Sequence, residues 1–462
     1  MLLQIHEPGQ TPLPHDQQQV AIGIDLGTTN SVVAIARDHK AEIIKIEGHS
    51  LVPSITFYGE PKSVGRAAEK AGKTSSDLML KSVKRLFEDA PLVGLIGQIT
   101  PLKAATDILI YLKEQAEKSL GKKVTKAVIT VPAYFSEGAR TMTRKAATLA
   151  GFEVLRLLNE PTAAALAYHL DEGKEGHYVV YDLGGGTFDV SVLRLEKGIF
   201  QVLAVGGDTG LGGDDFDKLI QDFFQDHVSI DQAKQIKEYL SENPVWQEKQ
   251  GSISQSDFEK IVSPLVEKTL KIVEKTLRDA KVEDIQTIQQ IVCVGGMTRM
   301  PLIQHSLEKL FKKKPLAILN PDEAVALGAA LQAEALMTGM GKLLIDVTPF
   351  SLGLETMGGF VEKLIPRNTA IPFSVTQEFT THQDDQKSMS IHVLQGESDR
   401  LQDCRSLAKF SFTNLPPLPA KTARVVITFT LDADGILTVS AQEKITGQKQ
   451  TVHVGLQNLT NS

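Results

Sequence analysis

The stretch YDLGGGTFDV, residues 181–190, decides how this chain is read. An apolar lead-in, YVVY, ends at Tyr181. Three glycines, Gly184, Gly185 and Gly186, then break the pattern before a second short apolar run. Glycine loses more conformational entropy on ordering than any other residue, so three at one corner need a reason. A glycine turn between strands lets backbone N–H groups approach a ligand closely, and successive N–H groups form an anion nest. A second corner of the same grammar, DLGTTNS, starts at Asp25: apolar strand, Asp, Leu, Gly27, then Thr28, Thr29 and Asn30, then another apolar strand. The two corners lie a domain half apart, too far for a solenoid repeat. Two similar halves facing across a cleft would close both nests on one phosphate chain, with the hydroxyls of Thr28, Thr29 and Thr187 as further donors. Asp25, Asp182 and Asp189 are hard oxygen ligands suited to hydrated Mg²⁺, directly or through water. The pattern therefore points to a magnesium-bound nucleoside triphosphate.

Each piece has a plainer reading by itself. DLGTT serves as a tight hairpin, GGG as a bulge or packed crossing, and a strand-end aspartate as a turn cap. The joint pattern carries the phosphate reading. A further pair, Gly295 and Gly296, ends the strand IVCV and would admit a flat ring, which makes it a candidate adenosine contact; alone it reads as a helix–strand packing turn. The single phosphate loop GxxxxGK[ST] does not occur.

Composition bounds the rest. The chain has 462 residues, enough for two or three domains, with 42% hydrophobic and 23% charged residues, ordinary values for a globular protein. No apolar run approaches the roughly 18 residues of a membrane helix, and the start, MLLQIHEPGQ, lacks the features of a signal peptide. Cys293 and Cys404 cannot make a disulfide framework. The expected location is the cytoplasm. A net charge of −7 argues against a nucleic-acid partner.

Residues 1–18 are polar and Pro/Gln-rich and are expected to be a disordered tail. From residue 19 to 340 strands and helices alternate, an α/β pattern. Residues 341–347, with Leu343 and Leu344, form a short apolar connector. Residues 348–456 alternate with period two and read as an all-β domain, in which Asp434-Gly435 suits a two-residue hairpin turn. Residues 457–462 form a tail, with no helical segment after the β-domain.

The corners, in this order, resemble the heat-shock 70-kilodalton chaperone family. The resemblance runs from Val20 to about Val454 and is carried by IGIDLGTTNSVVA, SVKRLF, VITVPAYF, LLNEPTAAALAYHL, YDLGGGTFDVSV, GDTGLGGDDFD, VGGMTRMP, NPDEAVALGAA and DVTPFSLGLETMGG. It implies a duplicated actin-like (ribonuclease-H-like) ATPase domain, a linker and a β-sandwich that grips extended peptide, driven by ATP and ADP with Mg²⁺ and K⁺. Asp25, Asp182 and Asp189 would surround the cations. Gly27, Thr28, Thr29 and Asn30, with Gly184, Gly185, Gly186 and Thr187, would hold phosphates. Lys84 would reach the γ-phosphate and orient the attacking water, and Glu160 would bind the metal's water shell. Lys237, Ser241, Gly295, Gly296, Arg299 and Asp322 would line the adenosine pocket. Pro132 and Arg140 would form a nucleotide-state switch. Arg156 and Asp346 match the surface that receives a J-domain, and Met357, Phe379, His382, Met389 and Ile391 match the peptide groove. Without the resemblance, Lys84, Arg85 and Arg140 read as surface charges on helices, Glu160 as a helix-start carboxylate, and the groove residues other than His382 as core.

A closer likeness, in LLQIHEPG, WQEKQGSISQSDFEKIVSPLVEKTL and LQDCRSLAKF, is to the branch of the family devoted to iron–sulfur cluster assembly. It implies a J-domain co-chaperone and a cluster scaffold protein as partners of a monomeric chaperone. Three departures stand out. Met297 occupies a position usually held by serine beside the adenine. The stretch from Glu88 to Thr100 is shortened, and the family's helical lid has no counterpart. Two other classes share the corners: a small-molecule phosphotransferase such as a sugar or acetate kinase, and a filament-forming actin relative. The first would need a polar pocket with a base beside the γ-phosphate and would leave the β-domain unexplained.

Overall fold

Val20–Leu26 and Asn30–Arg37 are apolar strands joined by the DLGTT corner, and they pair antiparallel with Leu26 opposite Ser31. Lys40–Ile43 extends that meander on one side. Val124–Val131 and then Glu153–Asn159 add in parallel on the other. A second sheet repeats the plan. Gly176–Leu183, Phe188–Glu196 and Ile199–Asp208 form an antiparallel meander, and Ile288–Val294 joins Gly176–Leu183 in parallel. Each glycine corner thus occupies the same topological place, the first hairpin of its sheet. The computed structural model describes residues 20–89, 99–168, 174–197, 199–225, 227–316, 318–339 and 344–454. The expected N-terminal and C-terminal tails, LLQIHEPG, Leu343 and most of the shortened stretch before Thr100 lie outside these residues.

Small residues bring the lobes together. The Ala-rich helices Glu160–Ala167 and Ala324–Thr338 cross so closely that a Cβ on Gly328 would stand 1.7 Å from the Ala163 carbonyl oxygen. Glu160–Ala167 carries Pro161 in its first turn, where the missing N–H costs no helical bond. Each lobe has its own apolar core, and a third cluster containing Val128, Ala163, Val180, Val292 and Ala329 joins them. Among the described residues, no helix is long and apolar enough to cross a membrane.

Period-two patterning builds the β-domain as read. Val425, Ile427, Phe429 and Leu431 all face inward, against Val393, Phe412 and Leu437. Two four-stranded antiparallel sheets stack as a sandwich, one holding Leu352–Thr356 and Ser388–Gln395, the other Phe373–Thr380 and Arg424–Leu431. The Asp434-Gly435 hairpin differs from its expectation. Leu431 pairs with Leu437, so the connection takes residues 432–436 and not a two-residue turn. Asp432 Oδ1 accepts from the N–H groups of Asp434 and Ile436, both at 2.9 Å, which stabilises the wider loop.

The apolar connector becomes a strand. Leu344–Val347 pairs in parallel with Ile199–Asp208 of the second lobe, Leu344 opposite Phe200. Its far end pairs with Ala370–Ile371 of the β-domain, Asp346 opposite Ile371. One short segment is therefore hydrogen-bonded to both partners.

Candidate nucleotide site

The two corners meet. A Cβ on Gly185 would fall 1.9 Å from Thr29 Oγ1, and one on Gly186 would fall 2.5 Å from Thr28 Cγ2. Only glycine allows this approach of one hairpin to the other. Gly184 N–H donates to the Thr187 carbonyl at 3.1 Å, closing the second corner.

Beneath the corners lie Asp25, Asp182, Asp189 and Glu160, facing Lys84. Strand pairing sets the aspartates. Asp182 lies directly opposite Asp189 in its hairpin, and Asp25 accepts from Thr130 Oγ1 at 2.9 Å on the neighbouring strand. Asp189 accepts from Tyr134 N–H at 2.8 Å. Lys84 Nζ and Glu160 Oε1 are 2.5 Å apart, both groups buried. The plain reading of Lys84 and Arg140 as surface charges therefore fails, at 7% and 3% exposure, whereas Glu160 does open its helix as read but is buried there.

Burial and the neighbouring Glu160 push Asp25 and Asp189 each up to about 7. The same causes, with Asp189 and Asp25 added, raise Asp182. Burial opposes the Lys84 charge, but Glu160 and Asp25 outweigh it and hold the ammonium on. A set of buried carboxylates that repel one another, rimmed by backbone donors, suits a divalent cation carrying phosphates. Among the described residues, no three His, Cys, Asp or Glu side chains close on one point as a ready-made metal centre. The donors surround the cleft, as a cation held through water and phosphate requires. When bound, Mg²⁺ neutralises charge on the phosphates. The buried pair with Glu160 keeps the proton on Lys84.

Next to this cleft, of about 90 Å³, opens a larger cavity of about 330 Å³. Thr29, Asn30, Gly185, Gly296 and Asp322 line both. Lys237, Ser241, Met297 and Arg299 line the larger one, as expected of an adenosine pocket. Gly295 takes φ 82°, the left-handed region that favours glycine. Three of these side chains are already committed. Lys237 Nζ is 2.7 Å from Asp217 Oδ1 and donates to the Gly213 carbonyl at 3.1 Å, while Ser241 Oγ donates to the Lys237 carbonyl at 3.0 Å. Arg299 is held by Asp322 at 2.5 Å and Asn320 at 2.7 Å. Leu51, Asp214, Asp217, Glu238 and Met300 also line the cavity. Sequence reasoning missed them. Only the acidic pair after GLGG offered a local signal.

The other expected residues fall into two groups. Pro132 ends the strand that leads to Arg140. Arg140 donates to Asn159 Oδ1 at 2.7 Å, the Ala133 carbonyl at 3.3 Å and, across the seam with the β-domain, the Asp434 carbonyl at 3.3 Å. Arg156 and Asp346 lie at the same seam. Arg156 is half-buried with Nε 3.7 Å from Asp434 Oδ1. Asp346 is buried and accepts from Thr162 Oγ1 at 3.2 Å. In the β-domain, Met357 is 71% exposed at a turn and His382 is exposed. Phe379 and Met389 are half-buried against the sandwich core. Ile391 is 2% exposed and belongs to that core, so the plainer reading holds for it in this arrangement.

Two duplicated lobes with matched glycine corners, and a β-sandwich tied to one of them by a strand, make the architecture of a two-lobed ATPase with an appended β-domain. Sequence comparison agrees. The family described as Hsp70 protein matches residues 21–95, 90–243 and 238–462. Chaperone protein HscA of Proteus mirabilis (strain HI4320) is 46% identical over 98% of this chain and 80% of its own length. HscA homologs of Haemophilus influenzae (strain PittEE) and Chromobacterium violaceum are also 46% identical, covering 98% of this chain and 80% and 81% of theirs. The chain belongs to the Hsp70 family. It is an ATP-dependent chaperone, and its enzymatic activity is ATP hydrolysis with Mg²⁺.

Proposed function

We propose that this chaperone serves iron–sulfur cluster assembly, in the manner its likeness to HscA suggests. ATP binding and hydrolysis at the paired corners alternate the β-domain between holding and releasing an extended segment of a cluster scaffold protein. A J-domain co-chaperone acts on the seam around Arg156 and Asp346. Asp25, Asp182 and Asp189 hold Mg²⁺ and K⁺, Glu160 orders water at the metal, and Lys84 orients the water that attacks the γ-phosphate. Residues 19–340 form the ATPase unit, 341–347 the linker and 348–456 the peptide-binding unit of a cytoplasmic monomer. Extended peptide adds to the β-domain by backbone bonds, with apolar side chains near Met357, Phe379 and Met389 supplying grip.

The observation that carries this reading is the connector strand, which is bonded to the ATPase sheet at Leu344 and to the β-domain at Asp346. A segment shared between two modules is an element that both ligands bias. The test is steady-state ATP turnover with a J-domain protein and a proline-containing peptide from a cluster scaffold. Turnover should rise with both together. Equal stimulation by unrelated extended peptides would point to general protein folding, and no stimulation by any peptide would defeat the coupling.

A further inference from the structure

Lys84 sits in a short 3₁₀ turn, Val83–Arg85, and its neighbours are held from the opposite lobe. Ser82 stands at φ 53°, ψ 30°, a left-handed conformation that a non-glycine residue adopts only at a cost. Its hydroxyl donates to Asp214 Oδ2 at 2.8 Å. Arg85 Nη2 lies 3.3 Å from both carboxylate oxygens of Asp215, and Nη1 lies 3.7 Å from Asp214 Oδ2.

Asp214 and Asp215 open the helix Gly213–Phe223, and the start of that helix is built onto the phosphate corner. Gly213 N–H donates to the Gly184 carbonyl at 3.0 Å and Asp214 N–H to the Gly185 carbonyl at 2.8 Å. A Cβ on Gly212 would stand 2.5 Å from the Gly186 nitrogen. A continuous chain of contacts thus runs from the phosphate corner of one lobe, through the first turn of this helix, to the turn that carries Lys84 in the other.

We propose that Ser82 and Arg85 are positioning residues for hydrolysis: gripped by Asp214 and Asp215 across the cleft, they seat Lys84 toward the phosphates only while the lobes are closed. The proposal rests on the assignment of Lys84 given above. Parting the lobes removes the partners of Ser82 and Arg85 together, leaving the strained turn only the packing of Val83 and the Lys84–Glu160 pair. Closure and the seating of Lys84 become one event. A third cross-lobe pair, Lys81–Asp231 at 3.0 Å, is 37% and 71% exposed, and an exposed pair of this kind is worth little. It serves as a control.

The experiment is single-turnover ATP hydrolysis beside equilibrium nucleotide binding, for Arg85→Ala, Arg85→Lys, Ser82→Ala, Asp214→Ala, Lys81→Ala and Lys84→Ala of the full chain. Arg85→Ala should slow hydrolysis about 10- to 100-fold, the range a misplacement of about 1 Å produces, with ATP affinity changed less than about threefold. Arg85→Lys should recover part of the rate. Lys81→Ala should hydrolyse at the parent rate. Ser82→Ala combined with Asp214→Ala should be no slower than Asp214→Ala alone, because losing Asp214 already removes the Ser82 contact. Parent-rate hydrolysis by Arg85→Ala and Ser82→Ala alongside an inactive Lys84→Ala would overturn the positioning role alone. So would fully additive losses in the double variant, or a loss of affinity that matches the loss of rate. Parent-rate hydrolysis by Lys84→Ala would overturn the assignment beneath it as well.

Discussion

At the scale of single residues, Lys84 shows what a sequence hides. Nothing local in SVKRLF distinguishes it from a solvated surface lysine, yet it is buried against Glu160 and faces three aspartates. In the proposed role its ammonium acts on the transferring phosphoryl group, where charge develops during reaction. Lys84→Ala should therefore lower single-turnover hydrolysis at least about 100-fold while nucleotide affinity moves less than about tenfold. Quench-flow hydrolysis and titration calorimetry read the two quantities separately. A parallel loss of both would reassign Lys84 to ground-state binding. The aspartates and glycines of the corners, by contrast, were legible, because strand, turn and ligand chemistry are written within ten residues of each other. Asp217 was not. Its partner Lys237 lies on a different helix, and only tertiary packing of the helices Gly213–Phe223 and Ile230–Leu240 brings them to 2.7 Å.

At the scale of elements, the helices Glu160–Ala167 and Ala324–Thr338 cross in close contact at Gly328. Alanine is the better helix former by about 1 kcal/mol, so propensity alone would make Gly328→Ala stabilising. The added Cβ would meet Ala163 oxygen at 1.7 Å and its carbonyl carbon at 2.5 Å, and backbone cannot swing aside. The clash should win, with a net loss of about 2 kcal/mol or more in urea unfolding. A neutral or stabilised variant would mean that the helices are farther apart. The connector strand makes a second prediction. Leu344 is half-buried opposite Phe200, and Leu344→Asp would put a charge into that pairing. Peptide and J-domain protein should then no longer raise ATP turnover, as a coupled ATPase assay would show. Unchanged stimulation would remove the strand from the coupling route. The apolar run KLLID was plain in the sequence. Which sheet it would join was not, because a four-residue strand takes its identity from its neighbours.

At the scale of the whole molecule, the seam between the ATPase unit and the β-domain turns on the loop 432–436. Asp434 Oδ1 accepts from Leu157 N–H at 3.1 Å, its carboxylate pairs with Arg144, and its carbonyl accepts from Arg140. The same loop is why the hairpin is wider than its Asp-Gly suggested. Asp434 and its partners lie nearly three hundred positions apart in sequence, beyond any local pattern. Asp434→Ala should release the β-domain, seen as a larger radius of gyration by small-angle scattering in the nucleotide state that favours docking; an unchanged radius would show that other contacts suffice. Docking should also respond to pH through Glu137. Its Oε1 accepts from Leu437 N–H at 3.3 Å and from Thr141 Oγ1 at 3.2 Å, while Oε2 is buried without a partner. Arg140 and Asp432 are the charged groups nearest in effect. Burial is the main cause that pushes Glu137 up to about 8, against 4.5 for an ordinary glutamate. Undocking removes the Leu437 side of that burial and lets Glu137 fall back toward the ordinary value, so the docked form binds the extra proton up to about pH 8. Its advantage is complete below that ordinary value and fades as pH rises through about 8. Between pH 6 and 8 the docking equilibrium should weaken by up to about tenfold per pH unit, and Glu137→Gln should flatten the profile. Fluorescence energy transfer between labelled domains measures it, and a flat profile in the parent chain would rule out this proton.

The most direct test of the paired corners is a crystal structure of the chain with Mg²⁺ and a non-hydrolysable ATP analogue. The β- and γ-phosphates should lie within hydrogen-bonding distance of backbone N–H groups from both Gly27–Thr29 and Gly184–Thr187, with the metal among Asp25, Asp182 and Asp189. Phosphates held by one hairpin alone, or a nucleotide seated outside the cleft between the lobes, would overturn the assignment of both.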